Sequence, residues 1–120
     1  MRYGPKWTLI HIWSTACSSC WRDVSALNEM LNPPSSKLVV VVIVINDTAD
    51  TIATFSHLYP VEFNNLLGGD WTDGQVAKAF DPIGVPMDVI IDPAGHATFA
   101  GIGEGSLQSA LEYWKGLALQ

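Results

Sequence analysis

Charge and cysteine are both scarce in this chain, and each scarcity narrows what the protein can be. Charged residues make up 15% of the 120 residues, six Lys or Arg against twelve Asp or Glu, for a formal net charge of −6. Without a basic cluster there is nothing to neutralise a phosphate backbone or an anionic bilayer, so nucleic acid and acidic membrane surfaces are not expected partners. The longest apolar run, Leu38 to Ile45, falls far short of the roughly 20 residues a transmembrane helix needs. No secretory signal is visible, because Met1-Arg2-Tyr3-Gly4-Pro5 leads almost at once into an apolar strand. The protein is then expected to be cytosolic or to have lost a targeting segment. Internal repeats and low-complexity stretches are also lacking. Hydrophobic residues at 48% exclude disorder, and the length predicts one domain, 1–120, burying about two thirds of its unfolded surface.

The only two cysteines, Cys17 and Cys20, stand three residues apart in Trp13-Ser14-Thr15-Ala16-Cys17-Ser18-Ser19-Cys20. Trp7 to Trp13 is apolar, β-branched and aromatic, and predicts a buried strand. After the cysteines the period changes to three and four residues, with Trp21, Val24, Leu27 and Leu31 on one helical face and Asn32-Pro33-Pro34 as the stop. The cysteines therefore fall at a strand-to-helix junction. Unpaired N–H groups and partial positive charge at a helix N-terminus favour the thiolate of Cys17, since a terminus supplies roughly 0.3 to 2 kcal/mol against about 1.4 kcal/mol per pKa unit. Cys20, one turn further in, is expected to be the shielded resolving thiol. No basic residue separates the two, which argues against a strongly oxidising site.

Other uses of two thiols can be weighed on the same residues. Zinc needs four ligands, and His11, His57 and His96 form no second spaced pair, so no metal site is assigned. A purely structural CxxC bridge closes so short a loop that it constrains the unfolded chain little. Soft thiolates do suit Cu(I), which keeps a copper-handling module as an alternative from a different functional class. Redox chemistry is the favoured reading, reduction of protein disulfides ahead of the nearest alternative, disulfide oxidation or isomerisation, with no cofactor beyond the dithiol.

Further along, Leu38 to Ile45 predicts a central strand buried on both faces, completing a βαβ unit. A short helix from Asp50 is expected to turn Ile52, Phe55 and Leu58 inward before Pro60, with Val61 to Leu67 as a brief extended segment before the Gly68-Gly69 break. Thr72-Asp73-Gly74-Gln75 fits a capping box ahead of a helix to about Phe80. Asp88 to Asp92, the turn Pro93-Ala94-Gly95-His96 and Ala97 to Ile102 predict a hairpin. Ser106 is placed to cap a last helix with Leu107, Ala110, Leu111, Trp114 and Leu117 on its inner face.

A strand ending in Trp-x-x-x-Cys-x-x-Cys, a later Gly84-Val85-Pro86, then a strand and Asp92-Pro93-Ala94-Gly95, resembles the thioredoxin superfamily over nearly the whole chain. The closest likeness is to the TlpA/ResA/CcmG group of membrane-associated, extracytoplasmic thiol-disulfide reductases, which includes proteins of cytochrome c biogenesis. The resemblance implies an α/β thioredoxin fold with a minimal N-terminus, a central mixed sheet and helices on both faces. It implies Cys17 as nucleophile, Cys20 as resolver and a cis Val85–Pro86 bond beside them. Protein thiols and disulfides and an upstream thiol reductant are the implied partners, a periplasmic or cell-envelope location follows, and the protein is expected to be monomeric. Three positions depart from the pattern: Ser18-Ser19 carries no proline, Met87 follows Pro86 where threonine is common, and His11 stands where relatives often carry a buried Asp or Asn.

Trp13, Ser18, Ser19 and Val85 are the candidates for contact with a substrate, although tryptophans at positions such as Trp13 and Trp21 more often belong to the core. His57 and His96 fall on surface elements. His11, on a buried strand, is expected either to stay neutral and hydrogen-bonded or, if protonated, to stabilise the Cys17 thiolate. Asp47 follows the second strand, where the ResA-like group carries an acidic residue near the cysteines. It is either a proton acceptor for Cys20 or ordinary turn and capping chemistry in Asn46-Asp47-Thr48.

Overall fold

The computed structural model describes residues 6–33, 35–70, 74, 78 and 84–118. Their elements run β1 (Trp7–Trp13), α1 (Ser18–Met30), β2 (Leu38–Val44), α2 (Ala49–Ser56), β3 (Leu66–Leu67), β4 (Met87–Ile91), β5 (Ala97–Ile102) and α3 (Ser106–Ala118). The strands form one sheet in the order β3-β2-β1-β4-β5. β2 lies parallel to β1 and β3, while β4 runs antiparallel to β1 and β5 antiparallel to β4. This is the mixed sheet of a thioredoxin-like fold. β1 holds the centre and β2 is interior beside it, although Val39 near the start of β2 is still 41% exposed.

Alternation along the strands sorts the side chains into two layers. Leu9 and Trp13 of β1, Val42 and Val44 of β2 and Ile90 of β4 share a cluster with Cys20, Val24 and Leu27 of α1 and Leu107 and Ala110 of α3. Ile52 and Phe55 of α2 pack against the same cluster. Ile10, Ile12, Ile43, Ile45, Met87 and Val89 make a second cluster from the intervening strand positions. The capping box at Thr72 and Gln75 and the helix expected up to Phe80 lie outside the described residues.

Two expectations change at helix ends. α2 is capped by Thr48, whose hydroxyl accepts from the Thr51 N–H while the Thr51 hydroxyl accepts from the Thr48 N–H. The helix then stops at Ser56, before Leu58 can join its inner face, and Leu58 is 80% exposed. Ser106 does not serve as a cap, because its hydroxyl donates inward to the Asp88 carboxylate.

The β4–β5 hairpin forms as its turn residues predict. Gly95 takes the positive φ of 95° that the turn requires, and its N–H bonds to the Asp92 carbonyl. The Asp92 carboxylate accepts from the backbone N–H groups of His96 and Ala94 at 2.8 and 3.0 Å, which holds its carboxyl below the usual range. A depressed carboxyl contributes stability above its unfolded pKa and loses it as pH falls through the folded value. Asp92→Ala should therefore melt below wild type at about pH 7, with the gap closing as the solution is acidified below the ordinary Asp range, as thermal denaturation can follow.

Candidate active site

Parallel pairing of β1 and β2 brings their C-terminal ends together, with the Ile45 N–H bonded to the Trp13 carbonyl at 2.9 Å. The segment from Ser14 to Cys17 and the segment from Asn46 to Thr48 thus leave the sheet side by side. Asp47 fastens one to the other. Its carboxylate accepts from the Thr15 N–H at 2.9 Å, the Thr15 hydroxyl at 2.5 Å, the Thr51 hydroxyl at 2.8 Å and, more loosely, the Ser14 hydroxyl at 3.4 Å. These bonds make Asp47 a positioning residue for the approach to Cys17.

Cys17 is the N-cap of α1, with extended φ and ψ of −96° and 105° and no side-chain cap bond. Its thiol is partly exposed, 3.2 Å from the Ser19 hydroxyl and 3.5 Å from the Val85 carbonyl, to which it can donate. The Val85–Pro86 bond is cis. Cys20 lies one turn into the helix with 0% exposure, and both thiols are free. Burial pushes the Cys20 thiol far above its ordinary value, reinforced by its bond with Cys17 and the negative charge of Asp23, and opposed by a backbone bond at Ser14. One thiol is reachable and the other is sealed and protonated.

Of the residues expected to meet a substrate, Val85 and Ser19 lie against the Cys17 sulfur and Ser18 is exposed next to it. Trp13 does not belong with them. It is 1% exposed, packed edge-on to Phe55 and Phe63, with its indole N–H bonded to Asn65. Beside the cysteines the partly exposed tryptophan among the described residues is Trp21, whose N–H bonds to the Thr15 carbonyl at 2.9 Å and whose ring lies 5.1 Å from that of Tyr59. His57 and His96 are exposed, as expected.

Beneath the cysteines lies a polar cluster that the sequence reading left incomplete. His11 and Asp88 are register partners in β1 and β4, both 0% exposed, with Nδ1 and Oδ1 2.6 Å apart. Ser106 donates to the other oxygen of Asp88. On the far side of the imidazole, Nε2 faces Oδ2 of Asp23 at 3.9 Å. Neither of those two buried atoms has a hydrogen-bond partner among the described residues. Burial raises the Asp23 pKa, the positive pull of His11 opposes the rise, Asp88 and Glu104 add to it and Arg22 reduces it. The visible signals were an acid inside the apolar strand Met87–Ile91 and an Asp three residues after Cys20, on the same helical face.

Fold and site together define a thioredoxin-like protein of the thiol-disulfide oxidoreductase class. Residues 2–99 match the profile of the AhpC/TSA family, and the chain belongs to that family. Among solved structures it is similar to a putative thiol:disulfide interchange protein DsbE from Chlorobium tepidum, at 21% identity over 98% of this chain and 83% of that one, with a TM-score of 0.75. DsbF from MTB matches at 22% identity over 93% and 81% of the two chains, TM-score 0.71. The exposed lipoprotein thioredoxin of Streptococcus pneumoniae matches at 16% identity over 92% and 87%, TM-score 0.67.

Two stability measurements test this geometry. Asp47→Ala should lose about 1 to 3 kcal/mol in urea unfolding, because it orphans donors at Ser14, Thr15 and Thr51. Asp23 has the opposite sign. A carboxyl whose folded pKa is raised favours folding below its unfolded value and loses that contribution as pH rises through the folded one. Asp23→Asn is therefore expected to melt above wild type near pH 7.5 and to lose that advantage near pH 3.

Proposed function

We propose that the protein reduces disulfide bonds in other proteins, passing two electrons from the Cys17–Cys20 dithiol to each partner. The observation that carries this reading is the unequal placement of the two thiols, Cys17 open at a helix N-terminus and Cys20 sealed one turn below. Cys17 attacks a partner disulfide and forms a mixed disulfide. Cys20 then attacks Cys17, the partner leaves as a dithiol, and an upstream thiol reductant restores the pair. The Val85 carbonyl beside the sulfur offers a backbone acceptor to an extended partner segment, a contact of the strand-addition kind. Exposed Leu58 and Tyr59, next to Trp21, supply apolar surface for a polypeptide.

Work outside the cytoplasm as a monomer completes the reading. The likeness to a DsbE protein and to an exposed lipoprotein supports that location. Among the described residues no helix is long and apolar enough to cross a membrane. Reduction rather than oxidation is favoured by the absence of a basic residue between the cysteines, since nothing in Ser18-Ser19 adds positive charge beside Cys17.

Single-cysteine variants test the order of roles. Cys17→Ser should abolish disulfide exchange, and Cys20→Ser should accumulate mixed disulfides visible on non-reducing gels. Capture by Cys17→Ser instead would reverse the assignment. Titration of the wild type against glutathione buffers, with metal analysis of the purified protein, separates reductase from oxidase and from a copper module; a potential above that of glutathione would reject the reductase direction.

A further inference from the structure

Resolution of the mixed disulfide needs Cys20 as a thiolate, yet Cys20 is fully buried and holds its proton tightly. Water does not reach the thiol, so a group of the protein has to take that proton. Asp47 is committed to Ser14, Thr15 and Thr51. Asp88 is committed to His11 and Ser106. His11 is 0% exposed and its Nε2 points at Asp23 rather than to solvent. Asp23 is the carboxylate whose charge acts on Cys20. It follows Cys20 by three residues on α1, which puts both on one helical face, and its Oδ2 is buried without a hydrogen-bond partner among the described residues.

We propose that Asp23 is the proton acceptor for Cys20, with His11 and Asp88 as the positioning residues that hold it ready. The inference rests on the dithiol exchange proposed above. In the mixed-disulfide state the Cys20 S–H bond breaks and its proton passes to the Asp23 carboxylate. The Cys20 thiolate forms the S–S bond to Cys17, and the bond from Cys17 to the partner sulfur breaks, its electron pair leaving on the partner as thiolate. The two dithiol sulfurs are oxidised and the partner disulfide is reduced. Asp23 then discharges its proton outward, because its side chain, 14% exposed, lines a cleft of about 410 Å³ between α1 and α3, with Ala26, Leu107 and Leu111 as apolar walls. Arg22 and Glu104 pair at 2.8 Å among the residues lining that cleft.

The groups acting on Asp23 come from every neighbouring element: Cys20 and Arg22 on α1, His11 on β1, Asp88 on β4 and Glu104 between β5 and α3. Burial keeps the carboxyl protonatable nearer neutrality than a surface Asp, which suits a group that must both take and release a proton. His11 limits that rise by its charge. Asp88 and Ser106 stop the imidazole from turning away.

A disulfide of two chromophoric thiols separates the steps, because mixed-disulfide formation at Cys17 releases the first chromophore and attack by Cys20 releases the second. Asp23→Asn should slow the second phase by about 100-fold at neutral pH and leave the first unchanged. The sign is diagnostic. An Asp that acted only through its charge would, once neutralised, let Cys20 ionise more readily and speed the second phase. A faster or unchanged second phase in Asp23→Asn overturns the proposal, whereas Asp23→Glu should restore part of the rate. Should Asp23→Asn fail to fold, the wild type decides: the second-phase rate must rise with pH at the same midpoint as the carboxyl signal of carbon-labelled Asp23, and separate midpoints reject it. Absence of any first phase at Cys17 would overturn the dithiol function itself, while a normal first phase with an Asp23-independent second phase removes Asp23 alone.

Discussion

A buried imidazole and a buried carboxylate survive in a folded protein only when each satisfies the other, and much of this structure is arranged around that demand. His11 and Asp88 face each other across the β1–β4 pairing. Slipping the register by one residue would send the two to opposite faces and leave both unpaired, at a cost of roughly 3 to 5 kcal/mol for a broken buried pair. The same pair fixes where α3 begins, because Ser106 must reach Asp88. It also sets what α1 may present to the sheet, since Asp23 hangs over the open side of the imidazole. The alignment of two central strands and the seats of two helices are thus bound to one polar contact in an otherwise apolar layer.

The two acids near the cysteines divide the labour between shape and charge. Asp47, shared by two adjacent loops, accepts from both of them and so fixes the path of the chain into Cys17. Asp23 is under-engaged, which costs stability and leaves it chemically available. Partial satisfaction of a buried polar group is hard to explain as packing, and sites that do chemistry are where such groups collect.

The architecture was largely legible in the residues. Apolar β-branched runs placed β1 and β2, turn residues placed the β4–β5 hairpin, and a period of three to four residues placed α1 and α3, all close to where they form. The cysteine pair carried the site. Leu58 misled because periodicity does not say where a helix stops, and the chain turns at His57 before the next apolar position comes round. Trp13, a substrate candidate by its place before Cys17 and a core candidate by its type, proves to be core because the alternation of β1 turns its side chain inward with that of Leu9. Asp47 could not be assigned from sequence, since its partners Thr15 and Thr51 come from two separate loops. Asp88 and Asp23 went unassigned for a similar reason: an acid in a strand and an acid on a helix gain meaning only once the fold sets them on either side of His11.

The contrast between the two thiols also governs how the protein meets reactive chemicals that are not its partners. Electrophiles and peroxides encounter Cys17 alone, for Cys20 has no surface to offer. A sulfenic acid formed on Cys17 has its rescuer one helical turn away, and condensation with Cys20 converts the lesion into an ordinary disulfide before irreversible oxidation can follow. The depth of Cys20 therefore insulates a stored reducing equivalent, so that damage arriving from outside is turned into the same oxidised state that normal turnover produces.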